Sequence, residues 1–278
     1  MSDLHGGAGC SGAAILDEIA EYTRRRVTME KAAAPDEAEV VVGHGGAHGE
    51  RAGGLSFERA IAADGLSFIC EVKKASPSKG IIAEDFPYRE IAKSYEAAGA
   101  AAISVLTEPR WFHGSARHLR DIAAAVDIPV LRKDFIVDAW QIDEAARLGA
   151  SAVLLIVAIL ADDELRGFIQ MADGLGMSAL VEAHDEQEID RAVIAGARII
   201  GVNNRDLRTF GINTTNSLRL RSLVPEEVLF VSESGIKGPD DIRALAGART
   251  DAVLVGEAMM RAEDKAAFIR LLREASRD

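Results

Sequence analysis

Eight short apolar runs recur along the chain from Leu66 onward, separated by amphipathic segments, and most end in a group of polar residues. These three observations predict an α/β fold, a (β/α)8 TIM barrel, with an additional N-terminal helix ahead of it. The runs begin near Leu66, Ala101, Ile128, Ser151, Met177, Arg198, Val228 and Asp251. Continuous apolar runs rich in β-branched residues suit parallel strands covered on both faces. Eight strand–helix units in about 210 residues fill the barrel repeat, whereas an open doubly wound sheet usually shows a Gly-rich fingerprint after its first strand. No such fingerprint follows Phe68–Val72.

The whole of residues 1–278 reads as one barrel domain: 1–12 disordered, 13–65 a helical extension and linker, and 66–275 the barrel. Ile15, Ile19 and Tyr22 recur at helical spacing and predict a helix over 14–27, placed as a lid or plug outside the eightfold repeat. Residues 32–54 read as a flexible glycine-rich break, with His44 and His48 lacking any Cys partner for a metal. Leu55–Ala63 reads as a short helix. Between the strands, Leu119, Ile122, Ala123 and Val126 fall at i, i+3, i+4 and i+7. Leu165, Phe168, Ile169 and Ala172 repeat that spacing, as do Phe268, Leu271, Leu272 and Ala275. Gly99, Gly149, Gly176 and Gly196 stand where a left-handed residue would turn a helix into the next strand.

Composition narrows the function. The formal charge is −12, which disfavours a general nucleic-acid binder. Leu154–Leu160 is apolar but too short to span a bilayer, and the first twelve residues lack the basic and apolar regions of a signal peptide. Cys10 and Cys70 make no disulfide framework. A cytoplasmic protein that binds no membrane and no metal is expected. The last helical segment runs close to Asp278, so no fused isomerase or amidotransferase domain is expected.

The chemistry should sit at the C-terminal ends of the strands. The first run ends in FICEVKKASPSKG, where period-two alternation puts Glu71 and Lys73 on one side. The Ser76–Gly80 loop is small, rich in donors and suited to an anion. Other runs end in Thr107–Phe112, Arg132–Phe135, Glu182–His184, Asn203–Asp206, Glu233–Gly235 and Gly256–Glu257. The last two follow strands seven and eight, where barrels often hold a phosphate on backbone N–H groups. Burial beside a second cation would bring a lysine pKa toward neutrality, and Lys73 and Lys133 are candidates for such a pair. Taken singly, Lys133 also fits a salt bridge with Asp134, Glu182 a helix cap, and Asn203 a plain turn. His113 and His184 read as structural or exposed.

The stretches EVKKASPSKG, SVLTEPRWFHGS, LRKDFIVDAWQIDEAARLGA, LVEAH, IGVNNRDL, VSESGI and VGEAMM, in this order, resemble the indole-3-glycerol phosphate synthase family. The resemblance runs from Glu71 to Met260, and ILDEIAEYTRRRV is similar to the family's extra helix. It implies ring closure of 1-(2-carboxyphenylamino)-1-deoxyribulose 5-phosphate, with loss of carbon dioxide and water and without a cofactor. By the same resemblance Lys133 is the general acid, Glu182 the catalytic carboxylate and Lys73 the second catalytic lysine, also in contact with substrate anions. Glu71 and Asn203 support them. Ser76, Phe112, Phe135, Arg205 and Glu233 contact substrate, the two phenylalanines as walls for the anthranilate ring. Ser234, Gly235, Gly256 and Glu257 form the phosphate turn. Some members carry serine where this chain has Glu257, which leaves its backbone amide as the donor there. A monomer, loosely associated at most with other enzymes of tryptophan synthesis, is expected. The residues alone leave two other readings: a sugar-phosphate isomerase on the same barrel, and a barrel that binds a phosphorylated ligand without turnover. The set of two lysines and one glutamate argues against both.

Overall fold

The computed structural model describes residues 12–33, 55–205 and 211–277. Eight parallel strands close into a barrel: β1 Ser67–Val72, β2 Ala102–Leu106, β3 Val130–Lys133, β4 Ala152–Ile156, β5 Ser178–Ala183, β6 Ile199–Asn203, β7 Leu229–Glu233 and β8 Ala252–Val255. Each pairs with its neighbours in sequence, and β8 closes on β1 through the register Ile69 opposite Leu254. All eight predicted runs form these strands.

Helices cover the outside: α1 Gly12–Ala33, α2 Ser56–Ile61, α3 Tyr88–Ala97, α4 Ala116–Ala123, α5 Ala139–Arg147, α6 Asp162–Gly174, α7 Glu186–Ala195, α8 Thr215–Arg221, α9 Pro239–Ala246, α10 Glu257–Arg261 and α11 Lys265–Ala275. The spacing argument holds where it was applied to α4 and α6. Leu119 and Ile122 are buried, as are Leu165, Ile169 and Ala172. In α11 the phase differs by one position: Ile269, Leu272 and Ala275 are buried, and Leu271 is 46% exposed. Of the four turn glycines, Gly99 and Gly196 have φ of 87° and 88°, and the other two share the left-handed region.

Two boundaries need correction. The first helix starts at Gly12, inside the stretch read as disordered, and runs to Ala33 rather than Val27. Met29, Glu30, Lys31 and the alanines are good helix formers that extend it without an apolar pattern, and Met29 is 67% exposed. The segment after Lys74 is not wholly loop, because Ala75–Ser76 pairs antiparallel with Gly80–Ile81. The readings of residues 1–11 and 34–54, with Cys10, His44 and His48, lie outside the described residues, as does Asp206.

Candidate active site

Period-two alternation explains which strand residues face the barrel axis. Glu71 on β1, Lys133 on β3, Glu182 on β5, Asn203 on β6 and Glu233 on β7 all enter one cavity of about 410 Å³ at the C-terminal ends of the strands. Leu106, Leu154, Ile156 and Leu254 give it an apolar floor. Lys73, Ser76, Phe112, Phe135, Arg205, Ser234, Gly235, Gly256 and Glu257 line the same cavity. Every site residue expected from the sequence therefore meets in one place.

Lys133 stands at the centre of the charges. Its Nζ lies 3.6 Å from Oε2 of Glu182 and 3.5 Å from Oε2 of Glu233. Burial opposes its charge, but the carboxylates of Glu233, Glu182 and Glu71 outweigh burial and hold the ammonium above the ordinary lysine range. Lys73 is ion-paired to Glu71, with its own side chain largely buried. Burial pushes the Glu71 carboxyl up, and the Lys73 and Lys133 charges more than reverse it. The expected mutual perturbation of two lysines is thus not what this site contains. The carboxylates around Lys133 dominate, and it moves up rather than toward neutrality.

The two remaining carboxylates diverge. Glu182 has three partners: Lys133, Nδ2 of Asn203 donating to Oε1 at 3.2 Å, and Nε2 of His184 at 3.2 Å from Oε1. Burial would raise it, but these partners pull it below the usual carboxylate range. Glu233 has Lys133 alone, and neither oxygen accepts a hydrogen bond from the described residues. Burial pushes Glu233 up, reinforced by the nearby negative charges of Glu182 and Glu71. Two carboxylates in one cavity, driven apart in this way, can divide the roles of proton acceptor and proton donor.

Local packing fixes the walls. Glu108 is fully buried and accepts from the backbone N–H groups of Arg110, Trp111 and Phe112 at 2.8, 2.7 and 3.0 Å. This turns the loop after β2 and aims Phe112 at Phe135, with ring centroids 6.1 Å apart. Asn203 Oδ1 accepts from the Arg205 backbone N–H at 3.0 Å, an Asx-turn, while its Nδ2 donates to Glu182, so Asn203 is more than a plain turn residue. Arg205 in turn donates to Ser78 Oγ at 3.1 Å, linking the loops after β6 and β1. Ser234 and Gly235 have φ of 64° and 85°. The serine adopts a backbone conformation that costs a non-glycine residue about 1–2 kcal/mol. Glu257, at the first position of α10, pairs its side chain with Arg261 at 3.0 Å. Ser78, Lys79, Lys237 and Arg261 complete that end of the cavity.

Several participants were not assigned from the sequence. Ile15, Leu16 and Ile19 of α1 form part of the cavity wall, in keeping with a lid. Glu18, Tyr22 and Arg26 fall four apart on one face of α1. Glu18 pairs with Arg110 at 3.3 Å, Tyr22 packs edge-on against Trp111 at 5.3 Å, and Arg26 donates to both oxygens of Asp134 at 3.1 and 3.0 Å. Asp134 also meets the buried Arg132 at 3.3 Å and accepts from Thr107 Oγ1 at 2.8 Å. Asp134 is therefore engaged with arginines rather than with Lys133. Asp185, not Glu182, caps α7, accepting from Glu188 N at 2.9 Å. Among the described residues no group of three or more His, Cys, Asp or Glu is placed to hold a metal, and no helix is long and apolar enough to cross a membrane.

A closed β/α barrel whose strand ends gather two lysines, three glutamates and two aromatic walls around one cavity defines a small-molecule barrel equipped for acid–base chemistry. The model of the family "Indole-3-glycerol phosphate synthase" matches residues 16–272, and the chain belongs to that family. A relative of that name from Ruminiclostridium cellulolyticum is 58% identical over 79% of this chain and 84% of its own length. Another, from Endomicrobium trichonymphae, is 51% identical over 94% of this chain and all of its own. A 3-hexulose-6-phosphate synthase from Salmonella typhimurium shares the fold, with a TM-score of 0.63 at 16% identity over 76% of this chain and 98% of that one. The activity follows from the family. The enzyme is a carboxy-lyase of tryptophan biosynthesis that closes 1-(2-carboxyphenylamino)-1-deoxyribulose 5-phosphate to indole-3-glycerol phosphate, releasing carbon dioxide and water.

Proposed function

We propose that Lys133 is the general acid of ring closure and Glu182 the carboxylate that moves protons in the later dehydration. The ring carbon bearing the carboxylate attacks the ketone, and the Lys133 ammonium protonates the developing alkoxide. The resulting iminium draws the electron pair of the neighbouring carboxylate bond into the ring, and carbon dioxide leaves. Dehydration removes one hydroxyl with one added proton and one C–H proton, so it is neutral overall. The complete reaction thus takes up one proton, which enters through Lys133. Lys73 donates to substrate anions and shares the acid–base work. Glu71 orients it, and Asn203 orients Glu182. Phe112 and Phe135 form apolar walls beside the anthranilate ring, while Ser76, Arg205 and Glu233 contact the chain of the sugar. The phosphate sits on the backbone of Ser234, Gly235, Gly256 and Glu257, near Lys73. The reaction needs no cofactor, and the enzyme works as a single-domain monomer in the cytoplasm, at most loosely associated with other enzymes of its pathway.

The observation that carries this reading is the central ammonium of Lys133 within 3.6 Å of two carboxylates that differ in proton affinity. The test is to mix the purified protein with the substrate, without additives, and follow indole absorbance. Glu182→Gln should retain substrate binding and lose about 10²-fold or more in kcat. Full turnover by that variant contradicts the role of Glu182.

A further inference from the structure

β5 ends in Glu182-Ala183-His184, and the spacing of two places Glu182 and His184 on the same side of the chain. The ring of His184 is hydrogen-bonded at Nδ1 and lies beside Glu182 at Nε2 within ion-pair distance, without a hydrogen bond there. Its Nε2 lies 3.2 Å from Oε1 of Glu182, and its Nδ1 lies 3.0 Å from Oε2 of Glu188 in the first turn of α7. Its backbone is held as well: the N–H donates to Oε2 of Glu188 at 2.8 Å, and the carbonyl accepts from Asn216 Nδ2 at 3.2 Å. Glu188 is itself fixed, because its backbone N–H donates to Asp185. A neutral imidazole offers one donor and one acceptor. A carboxylate oxygen lies within 3.2 Å of each ring nitrogen, and two negative charges flanking the ring favour its doubly protonated, charged form.

The charges facing Glu182 come from several elements. Lys133 on β3 lies at 3.6 Å, while Glu71 on β1 and Glu233 on β7 share the cavity as like charges or acids. Lys73 is committed to Glu71. Asn203 on β6 contributes a neutral donor. Two cations therefore support Glu182, and the reaction removes one of them when Lys133 gives up its proton. His184 remains.

We propose that His184 is a positioning residue: clamped by Glu188, its imidazolium keeps Glu182 oriented and ionised while Lys133 is neutral, so that Glu182 is ready to accept a proton. This rests on the reading of Glu182 as the dehydration carboxylate. Burial works against a charged ring, but Glu182 and Glu188 outweigh it and raise His184 to about 10. The ring thus stays charged through the pH range in which the enzyme would turn over.

The experiment measures kcat and KM from about pH 3 to pH 9 for the intact enzyme, His184→Gln and Glu182→Gln. Glutamine keeps an amide donor near the position of Nε2 but carries no charge. His184→Gln should lower kcat about 10-fold at the acid end, leave KM within about twofold, and move the acid limb of the kcat profile up by about one pH unit. The position of that limb does not depend on how much of the variant is folded. An acid limb at the wild-type pH in His184→Gln overturns the proposal. Glu182→Gln separates the two claims. If it is inactive while the His184→Gln limb is unmoved, only the role of His184 fails. If it turns over normally, the reading of Glu182 fails and the role of His184 falls with it.

Discussion

Gly256 lies against Glu71 so closely that a Cβ at position 256 would overlap Oε2 of the glutamate and stand 2.7 Å from Nζ of Lys73. The glycine after β8 thus leaves space for an ion pair that belongs to β1. The overlapping atoms are the ends of two side chains rather than backbone, so a methyl group there would displace the pair at little cost to the fold. Gly256→Ala should lower kcat/KM by about 10²-fold, the scale set by a misplacement of about 1 Å. Its Tm should stay within about 2–4 °C of wild type, the shift that 1 kcal/mol produces in a protein of this size. Steady-state kinetics and a thermal melt of one sample check both halves.

Glu233 should cost the protein stability as pH rises. Its folded pKa is raised to about 8 from an ordinary 4.5, chiefly by burial. Below the ordinary value both folded and unfolded states hold the proton, and nothing is lost. Between the two values only the folded state holds it, so stability falls with rising pH. Glu233→Gln removes that dependence. The variant should melt above wild type at about pH 8 by roughly 2–4 °C or more, and with a smaller difference at about pH 4. An equal offset at both pH values would show that burial is not what raises Glu233.

Asp134 should matter more to stability than Arg26, although the two are partners. Arg132 is 1% exposed and points out of the barrel, where its guanidinium meets Asp134 at 3.3 Å, Glu144 at 2.7 Å and the Gln141 carbonyl at 2.8 Å. Asp134→Asn takes one anion from two largely buried arginines, a change that costs about 3–5 kcal/mol when a buried pair is broken. A fall in Tm of about 10 °C is expected. Arg26→Ala leaves Asp134 with Arg132 and Thr107. It should cost about 1–3 kcal/mol and act on α1, whose amide exchange should quicken while the strands stay protected. Equal losses in the two variants would contradict this order.

Which residues face the cavity was legible because strand parity is local: Glu71 and Lys73 are two apart in any extended chain. What each side chain meets was not legible. The carboxylates that raise Lys133 come from β1, β5 and β7, and no local pattern reports the closing of the barrel. The same holds for Arg26 and Asp134, which lie 108 positions apart. His184 carried a usable signal in its spacing from Glu182 and from the Asp185–Glu188 cap, but a single histidine after a strand has many ordinary uses. Glu108 carried only the fact of an acid before Pro109, since its three backbone donors depend on the turn it creates. The far end of α1 was missed for a different reason. Periodicity registers buried faces, and Met29–Ala33 has none buried.

The central claim is that the proton of ring closure comes from Lys133, and Lys133→Met tests it most directly. Methionine keeps an unbranched side chain in the cavity and removes the ammonium. Purified wild type and variant are each mixed with the deoxyribulose phosphate substrate, and indole fluorescence is followed through one turnover with enzyme in excess. The account predicts saturable binding by both and a chemical step about 10²–10⁴-fold slower in the variant. A variant that binds and closes the ring at the wild-type rate would contradict it and leave another group as the acid.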